Sequence, residues 1–244
     1  MRFMAFAARN RRELMRDPLS LIFGVGFPVV LILLITLMNR SIEGMPAEIF
    51  GIQDFAPGMA IFGLSFISLF LGTLIAGDRS SSYLMRLFAS PLTGLDYILG
   101  YSLPLVPIAV VQSAVCFAVA ALFGFPVNIR LFWAMLTLLP TALLFIAFGI
   151  LMGVWLTDKQ VGGFASILVN VAAWLSGTWF SLDLIGGAFK TVCNLLPFAH
   201  GVAMTKAAVN GDFAAIWPNL LWVAGYAAVI YLLAVLSFQR RMRS

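Results

Sequence analysis

The sequence predicts an all-α membrane protein with six transmembrane helices, and two observations lead to this fold class. The first is composition: 62% of the 244 residues are hydrophobic and 10% are charged, whereas soluble domains carry about 25% charged residues. The second is six apolar runs without Asp, Glu, Lys, Arg or His, each long enough to cross a bilayer core of about 30 Å as a helix. The runs are 19–38, 56–76, 98–123, 131–156, 161–180 and 214–237.

We expect one transmembrane domain over 1–244, because six spans joined by short loops leave no room for a second domain. The first run is longer than the core of a signal peptide, and no small-residue cleavage site follows it, so we expect it to be retained. Cys116 and Cys193 lack the spacing of a metal or redox motif.

Basic residues indicate the orientation. With six spans both termini lie on one side, and eleven of the 15 Lys and Arg residues fall in the segments 1–18, 77–97, 157–160 and 238–244 on that side. Because cytoplasmic loops are enriched in Lys and Arg, both termini are predicted to be cytoplasmic.

Residues 1–17 precede the first run and are both basic and apolar. The apolar residues lie near helical spacing, although Asn10 interrupts the stripe, and most arginines lie off that face. The pattern predicts an interfacial helix, which Asp17-Pro18 would end. A disordered basic tail is the alternative.

The loop 77–97 is the most informative polar stretch. Its three consecutive serines, 80–82, offer N-cap hydroxyls, and Pro91 would stop a helix. The apolar face of this short cytoplasmic helix consists of Tyr83, Leu84, Leu87 and Phe88. Membrane surface or a cytoplasmic protein would bury this face equally well.

The spans contain few polar groups. An ionisable residue at bilayer depth would mark an ion or proton site, and none occurs within the six runs, so energy is expected from outside the spans. Gln112 and Asn170 make interhelical hydrogen bonds or line a substrate path. Gly149 and Gly153 form a small-xxx-small pattern that permits close helix approach.

Phenylalanines recur every four residues in the second run, at Phe62, Phe66 and Phe70. Such a stripe faces lipid, packs against protein or forms the wall of a path for an amphipathic compound. In the outer stretch 181–213, apolar residues and Pro197 predict two short helices that enter the outer leaflet as a re-entrant hairpin over 184–212. His200 has no partner with metal-ligand spacing, so its expected role is a hydrogen bond that stabilises the hairpin.

The sequence contains no G-x-x-x-x-G-K-[ST] phosphate loop, no Ser/His/Asp set and no H-E-x-x-H motif. We therefore expect transport, with no catalytic residue and no metal site in this chain.

The order of these features resembles the permease subunits of ATP-binding-cassette exporters of the type-2 membrane family. The resemblance rests on the interfacial helix, the six spans, the cytoplasmic helix ending in Ser90-Pro91-Leu92, and the stretch 195–202 before the last span. The family's cytoplasmic-loop pattern is matched at Asp78, Arg79, Leu84, Arg86, Leu87 and Pro91, and this chain departs from it at Ser82, Tyr83 and Met85.

The resemblance implies that 79–91 is a coupling helix that lies with 9–16 against a separate ATPase subunit. The implied coupling residues are Arg79, Tyr83, Arg86, Leu87, Pro91, Arg12 and Arg16. It also implies a second permease, either the same chain or a similar one, and a path lined by the first, second and fifth spans. The implied path residues are Asn39, Phe62, Phe66 and Asn170, and the implied outer gate residues are Pro197 and His200.

By the same resemblance this chain binds no cofactor, ATP and Mg²⁺ belong to the partner subunit, and the location is a bacterial inner or cell membrane. The expected function is export of a hydrophobic or amphipathic compound, drug-like or lipid-like. The alternatives are export of a polysaccharide or lipid-linked glycan by the same architecture, an ATP-independent secondary transporter or channel, and a membrane scaffold or receptor.

Overall fold

The computed structural model describes residues 3–18, 22–41, 51–81, 83 and 92–243, and no strand occurs among them. A π-helical turn at Ile22–Gly26 leads into the second of eleven α-helices in this part of the chain. The helices are α1 (Phe3–Arg16), α2 (Phe27–Ser41), α3 (Ile52–Ser80), α4 (Gly94–Ser102), α5 (Leu105–Leu122), α6 (Ile129–Trp155), α7 (Asp158–Leu175), α8 (Leu182–Ile185), α9 (Gly187–Leu195), α10 (Pro197–Asn210) and α11 (Phe213–Arg243).

The all-helical fold class is confirmed, and five helical segments in the described residues are long and apolar enough to cross a membrane. They correspond to the first, second, third, fourth and sixth predicted spans. The segments are Ile22–Ser41, Ile52–Ser80, Gly94–Leu122, Ile129–Trp155 and Phe213–Arg240.

The fifth predicted span, 161–180, is not among these five. Its helix, α7, begins with Asp158, Lys159 and Gln160 and ends at Leu175, so its apolar part is shorter than the run that predicted it. Thr157 caps α7, and its backbone N–H and hydroxyl both lie 3.0 Å from the Gln160 side-chain oxygen. Six crossings therefore remain a prediction.

Helix α3 lies at the centre of the bundle, between α6 and α7, with α2 and α5 also packed on it. The predicted close approach through Gly149 and Gly153 occurs between α6 and α3. A Cβ added at Gly153 would lie 2.6 Å from the Ile75 Cβ and 2.9 Å from the Gly72 carbonyl oxygen. Absence of a side chain thus lets the two backbones meet.

The third predicted span is broken near its start. Helix α4 ends at Ser102, and α5 begins after a turn at Leu103 and Pro104. Proline lacks the backbone N–H that a continuous helix would use. The third predicted span therefore consists of two helices, α4 and α5, joined by this turn.

Two local expectations need correction, at Ser80 and at Asn10. Of the three serines expected to offer N-cap hydroxyls, Ser80 is instead the last residue of α3 and its hydroxyl donates to the Gly77 carbonyl at 3.0 Å, whereas Ser82 lies outside the described residues. Asn10 does not interrupt a lipid-facing stripe, because it is fully buried against the bundle. A side chain of such polarity is buried only where it finds a partner.

The outer segment contains three helices instead of two, since Gly186, with φ of 62°, separates α8 from α9. The break expected at Pro197 lies between α9 and α10, where this proline occupies the first turn of α10. Proline suits that position because its missing N–H has no partner in the first turn. The entry of this segment into the outer leaflet remains a prediction.

Candidate functional site

A buried carboxylate organises the end of the bundle where α1 lies. Asp78 sits two residues before the end of α3 and is only 4% exposed. Its Oδ2 accepts a hydrogen bond from Arg9 at 2.6 Å and another from the Tyr101 hydroxyl at 2.9 Å. One oxygen therefore joins α1, α3 and α4.

The Arg9 guanidinium also has two further partners. It donates to Asn10 at 3.0 Å and lies 4.4 Å from the centre of the Tyr83 ring, a cation–π contact. Burial lowers the pKa of Arg9, but the hydrogen bond and negative charge of Asp78 outweigh this, so the pKa of Arg9 is raised above its ordinary value. Arg9 thus carries a permanent charge beside the start of the predicted coupling helix.

Helix α1 packs on α4 through aromatic contacts of Phe6 and a hydrogen bond of Asn10. The Phe6 ring packs edge-on against Tyr101, with centroids 4.8 Å apart, and the absence of a side chain at Gly100 leaves room for it. The Asn10 side-chain amide donates to the Gly100 carbonyl at 3.0 Å. These contacts fix α1 to the bundle instead of leaving it on the membrane surface alone.

Arg79, a predicted coupling residue, reaches the end of α6. Its guanidinium donates to the backbone carbonyls of Val154 and Leu156. The last carbonyls of a helix have no partner within it and carry partial negative charge, so a cation there is favourable. Arg79 therefore links the end of α3 to the end of the fourth predicted span.

The remaining predicted coupling residues are divided by their position. Tyr83 is half-buried beneath Arg9, and Arg12 and Arg16 are exposed on α1. The other three, Arg86, Leu87 and Pro91, lie outside the described residues. Arg79 and Tyr83 thus lie beside the cluster of Asp78, Arg9 and Tyr101. Arg12 and Arg16 are at the surface, where a partner subunit could contact them.

The phenylalanine stripe of α3 is packed against the first span. Phe62 and Phe66 are each 9% exposed, and the Phe27 ring lies 5.8 Å and 6.2 Å from them, centroid to centroid. Phe23 stacks on Phe66 at 6.1 Å, and Trp179 covers Phe62 at 6.2 Å. In a single chain these rings therefore contact protein, while Phe23 and Phe27 are part-exposed at the outer side of the cluster.

Asn170 and Asn39 lie apart from this cluster. Asn170 is exposed on α7, and its amide donates to the Ser166 carbonyl of the same helix at 2.8 Å instead of reaching another helix. Asn39 is half-buried near the end of α2. Among the described residues Asn170 thus makes no interhelical hydrogen bond, the role that we considered for it.

His200, in α10, contacts α9 of the outer segment and α11, the helix of the last predicted span. Its Nδ1 lies 2.7 Å from Asn219 Oδ1 in α11, and its Nε2 lies 2.8 Å from the Asn194 carbonyl in α9. The ring stacks on Trp222 at 5.0 Å with an interplanar angle of 3°. The histidine therefore stabilises the packing of α9 and α10 on α11, by hydrogen bonds as predicted.

Sequence reasoning omitted Asp78, Arg9 and Tyr101 from the candidate set. A carboxylate directly after an uncharged span was visible in the sequence and had a basic residue available on the same predicted side. Tyr101 gave no comparable signal, because tyrosine is frequent at membrane interfaces for its amphipathic ring alone.

Five long apolar helical segments, with α1 and the end of α3 attached to them through Asp78 and Arg79, are the architecture of a multi-pass membrane protein. The family model described as ABC-2 type transporter matches residues 1–209. The chain therefore belongs to the ABC-2 type transporter family, as the membrane subunit of an ATP-binding-cassette transporter. No curated protein matches it. The family implies an ATPase partner subunit in an ATP-binding-cassette transporter.

Proposed function

We propose that this permease exports a hydrophobic or amphipathic compound, drug-like or lipid-like, driven by ATP hydrolysis on two separate cytoplasmic ATPase subunits. ATP and Mg²⁺ bind to those subunits and not to this chain. Both termini lie in the cytoplasm of a bacterial cell, and the residues 79–91 with 9–16 receive the ATPase.

The observation that supports this proposal best is the double attachment of the segment at Asp78 and Arg79. Asp78 binds α1 and α4 through Arg9 and Tyr101, and Arg79 binds the end of α6. A force applied to the next residues, 82–91, therefore reaches four helices directly. Such rigid connections are what a partner needs to convert closure of its own domains into movement of the spans.

Assembly with a second permease is supported by the outer face of α7. Phe164, Ile167 and Trp174 are 55%, 62% and 55% exposed, and Ser166 and Asn170 lie on the same side of the helix. Interfaces between membrane helices are enriched in such polar and small residues, because lipid cannot satisfy an amide. A second copy, or a similar permease, would cover Asn170 and form with it a path bounded by α2, α3 and α7.

The apolar surroundings of this path favour an apolar or amphipathic cargo. Phe62 and Phe66 back the first span, and the carboxylates and amides that hydrogen-bond a long glycan are absent from the described part of α2 except for Asn39. In the same scheme Pro197 and His200 belong to the outer gate, because Pro197 separates α9 from α10 and His200 connects both helices to α11.

The proposal is tested with the double variant Arg86→Glu/Leu87→Asp, made in the predicted coupling helix. We expect loss of ATPase co-purification and of cargo-stimulated ATP hydrolysis in proteoliposomes. Arg240→Glu, an exposed arginine at the end of α11, serves as the matched charge-reversal control and should retain both. Retention of both activities by the double variant, or transport by the permease alone without ATP, would reject the coupling scheme.

A further inference from the structure

A cavity of about 310 Å³ lies beneath α1, between the π-helical turn, α3 and α5. Two helix irregularities form its opposite walls. Gly24 and Val25 of the π-helical turn line one side, and Pro104 and Pro107, at the interruption between α4 and α5, line the other. Turns of the π type occur frequently at functional sites.

The deep end of the cavity contains an amide with unused hydrogen-bonding capacity. Gln112 is 1% exposed, and its Nε2 faces α3, where its one hydrogen bond runs 3.5 Å to the Ala60 carbonyl. Gly63 leaves the room for this nitrogen, since a Cβ there would lie 2.0 Å from it. The Gln112 Nε2 donates one of its two N–H groups to Ala60, and the Gln112 side-chain oxygen accepts a hydrogen bond from no described residue.

The other end of the cavity carries a positive charge. Arg11 lines the cavity from α1 together with Leu14 and Met15, and it forms no ion pair with any described residue. Its neighbour Arg9, in contrast, is paired with Asp78. The wall between the two ends is apolar and includes Ile67, Phe70, Ile108 and Val111.

We propose that this cavity is a binding site for an anionic amphipath that carries a hydroxyl or amide N–H at its far end. The anionic group binds Arg11, the apolar body lies between the π-helical turn and α5, and the donor bonds to Gln112 Oε1. Two of the residues that line the cavity, Pro104 and Gln112, are eight residues apart, which corresponds to about 12 Å along a helix. We take this length as the extent of the ligand between its anionic group and its donor.

This site touches the aromatic stripe only at Phe70, whereas the proposed path runs along Phe62 and Phe66 and the outer face of α7, none of which lines the cavity. Exposed Pro107 and Val111 place the opening of the cavity towards the bilayer, beside α1. The ligand therefore enters sideways from the leaflet next to α1. The inference concerns binding only, and it holds whether the compound is transported or regulates transport.

The test measures binding of radiolabelled 10-hydroxydecanoate to the full chain in nanodiscs of dioleoylphosphatidylcholine, with empty nanodiscs as the background. Decanoate lacks the hydroxyl donor, and 1,10-decanediol lacks the charge; both serve as competitors. We expect saturable binding that is about three- to tenfold tighter for 10-hydroxydecanoate than for decanoate, the ratio that one hydrogen bond supplies.

Gln112→Leu should remove this preference while leaving decanoate affinity unchanged, which also shows that the variant is folded. Arg11→Gln should weaken both acids about three- to tenfold and leave the diol unchanged, whereas Arg12→Gln, one residue away and outside the cavity, should have no effect. The proposal is overturned by equal binding of the two acids to the unmodified chain. It is also overturned if the preference for 10-hydroxydecanoate survives Gln112→Leu, or if Arg11→Gln leaves the affinities of both acids unchanged. Binding that does not exceed that of empty nanodiscs overturns it as well.

Discussion

Arg9 and Asp78 are 69 residues apart in the chain and are joined by a 2.6 Å ion pair at the start of the predicted coupling segment. The two partners are not equally buried, since the Arg9 side chain is 31% exposed and that of Asp78 is 5% exposed. The free energy of unfolding should therefore respond differently to removal of each partner. An unpaired buried carboxylate is more costly than a guanidinium that can turn to water.

We predict that Arg9→Gln lowers the free energy of unfolding by about 2–3 kcal/mol and Asp78→Asn by about 1–2 kcal/mol. Thermal melting of the purified permease in detergent checks the order. Each kcal/mol corresponds to roughly 2–4 °C for a chain of this size. Glu13→Gln, an exposed change on the same helix, should stay within about 0.5 kcal/mol. A larger loss for Asp78→Asn than for Arg9→Gln would contradict this account.

The sequence was sufficient for features that depend on one segment alone. Uncharged runs predicted five helical segments that are long and apolar enough to cross a membrane, because a bilayer demands about 20 apolar residues in succession. The spacing of Gly149 and Gly153 predicted a close helix contact because both glycines lie on one face of α6. These signals are local, and they did not require knowledge of the partner helix.

Contacts between distant segments were not predictable in this way. Asn10 was interpreted as a defect in an apolar stripe, because its acceptor is a backbone carbonyl in α4 that the sequence does not display. Asp78 was part of a family pattern, but only packing shows that one of its oxygens binds two helices. The end of α7 at Leu175 was missed because the apolar run continues beyond it to Phe180.

The contact between α3 and α6 gives a second prediction. Gly153→Ala would bring a Cβ to 2.6 Å from the Ile75 Cβ and should cost about 1–3 kcal/mol, because both backbones must move apart. Gly225→Ala in α11 meets nothing within 4 Å and is the control. It should be neutral or stabilising, since alanine favours a helix by up to about 1 kcal/mol over glycine. Melting temperatures that fall equally in the two variants would refute the close-packing explanation.

His200 gives a third prediction, for the outer helices. His200→Phe keeps a ring over Trp222 but loses the hydrogen bonds to Asn219 and to the Asn194 carbonyl. We expect amide hydrogen exchange in α9 to rise about tenfold, the effect of roughly 1.4 kcal/mol lost from local stability.

Lys190→Gln is the control for that experiment. It removes the ion pair between Lys190 and Asp183, whose side chains are 42% and 80% exposed, respectively. Exposed ion pairs contribute little to stability. Exchange in α9 should change less than about threefold. A larger effect of Lys190→Gln than of His200→Phe would show that surface charge, and not His200, holds these helices.

Arg79 gives a fourth prediction, which depends on the proposed coupling. Arg79→Lys retains the positive charge but cannot place two donors on the Val154 and Leu156 carbonyls in the fixed geometry of a guanidinium. Stimulated ATP hydrolysis by the assembled transporter should fall about threefold, while the ATPase still co-purifies. Arg240→Lys, an exposed arginine outside the coupling segment, should retain full stimulation. If Arg79→Lys retains full stimulation of ATP hydrolysis, the contact of Arg79 with the end of α6 is not needed for coupling.

The last prediction concerns the second permease copy on α7. In a Cys116→Ala/Cys193→Ala background, we expect single cysteines at Phe164, Ile167 and Val171 to form disulfides between copies upon oxidation in membranes. A disulfide requires Cα atoms within about 7 Å, so at least one position near the symmetry axis should give a product of twice the mass. Val229→Cys in α11 is similarly exposed, at 57% against 62% for Ile167, and should remain monomeric. Cross-linking through Val229 but through none of the α7 positions would place the interface on α11 and leave Asn170 facing lipid.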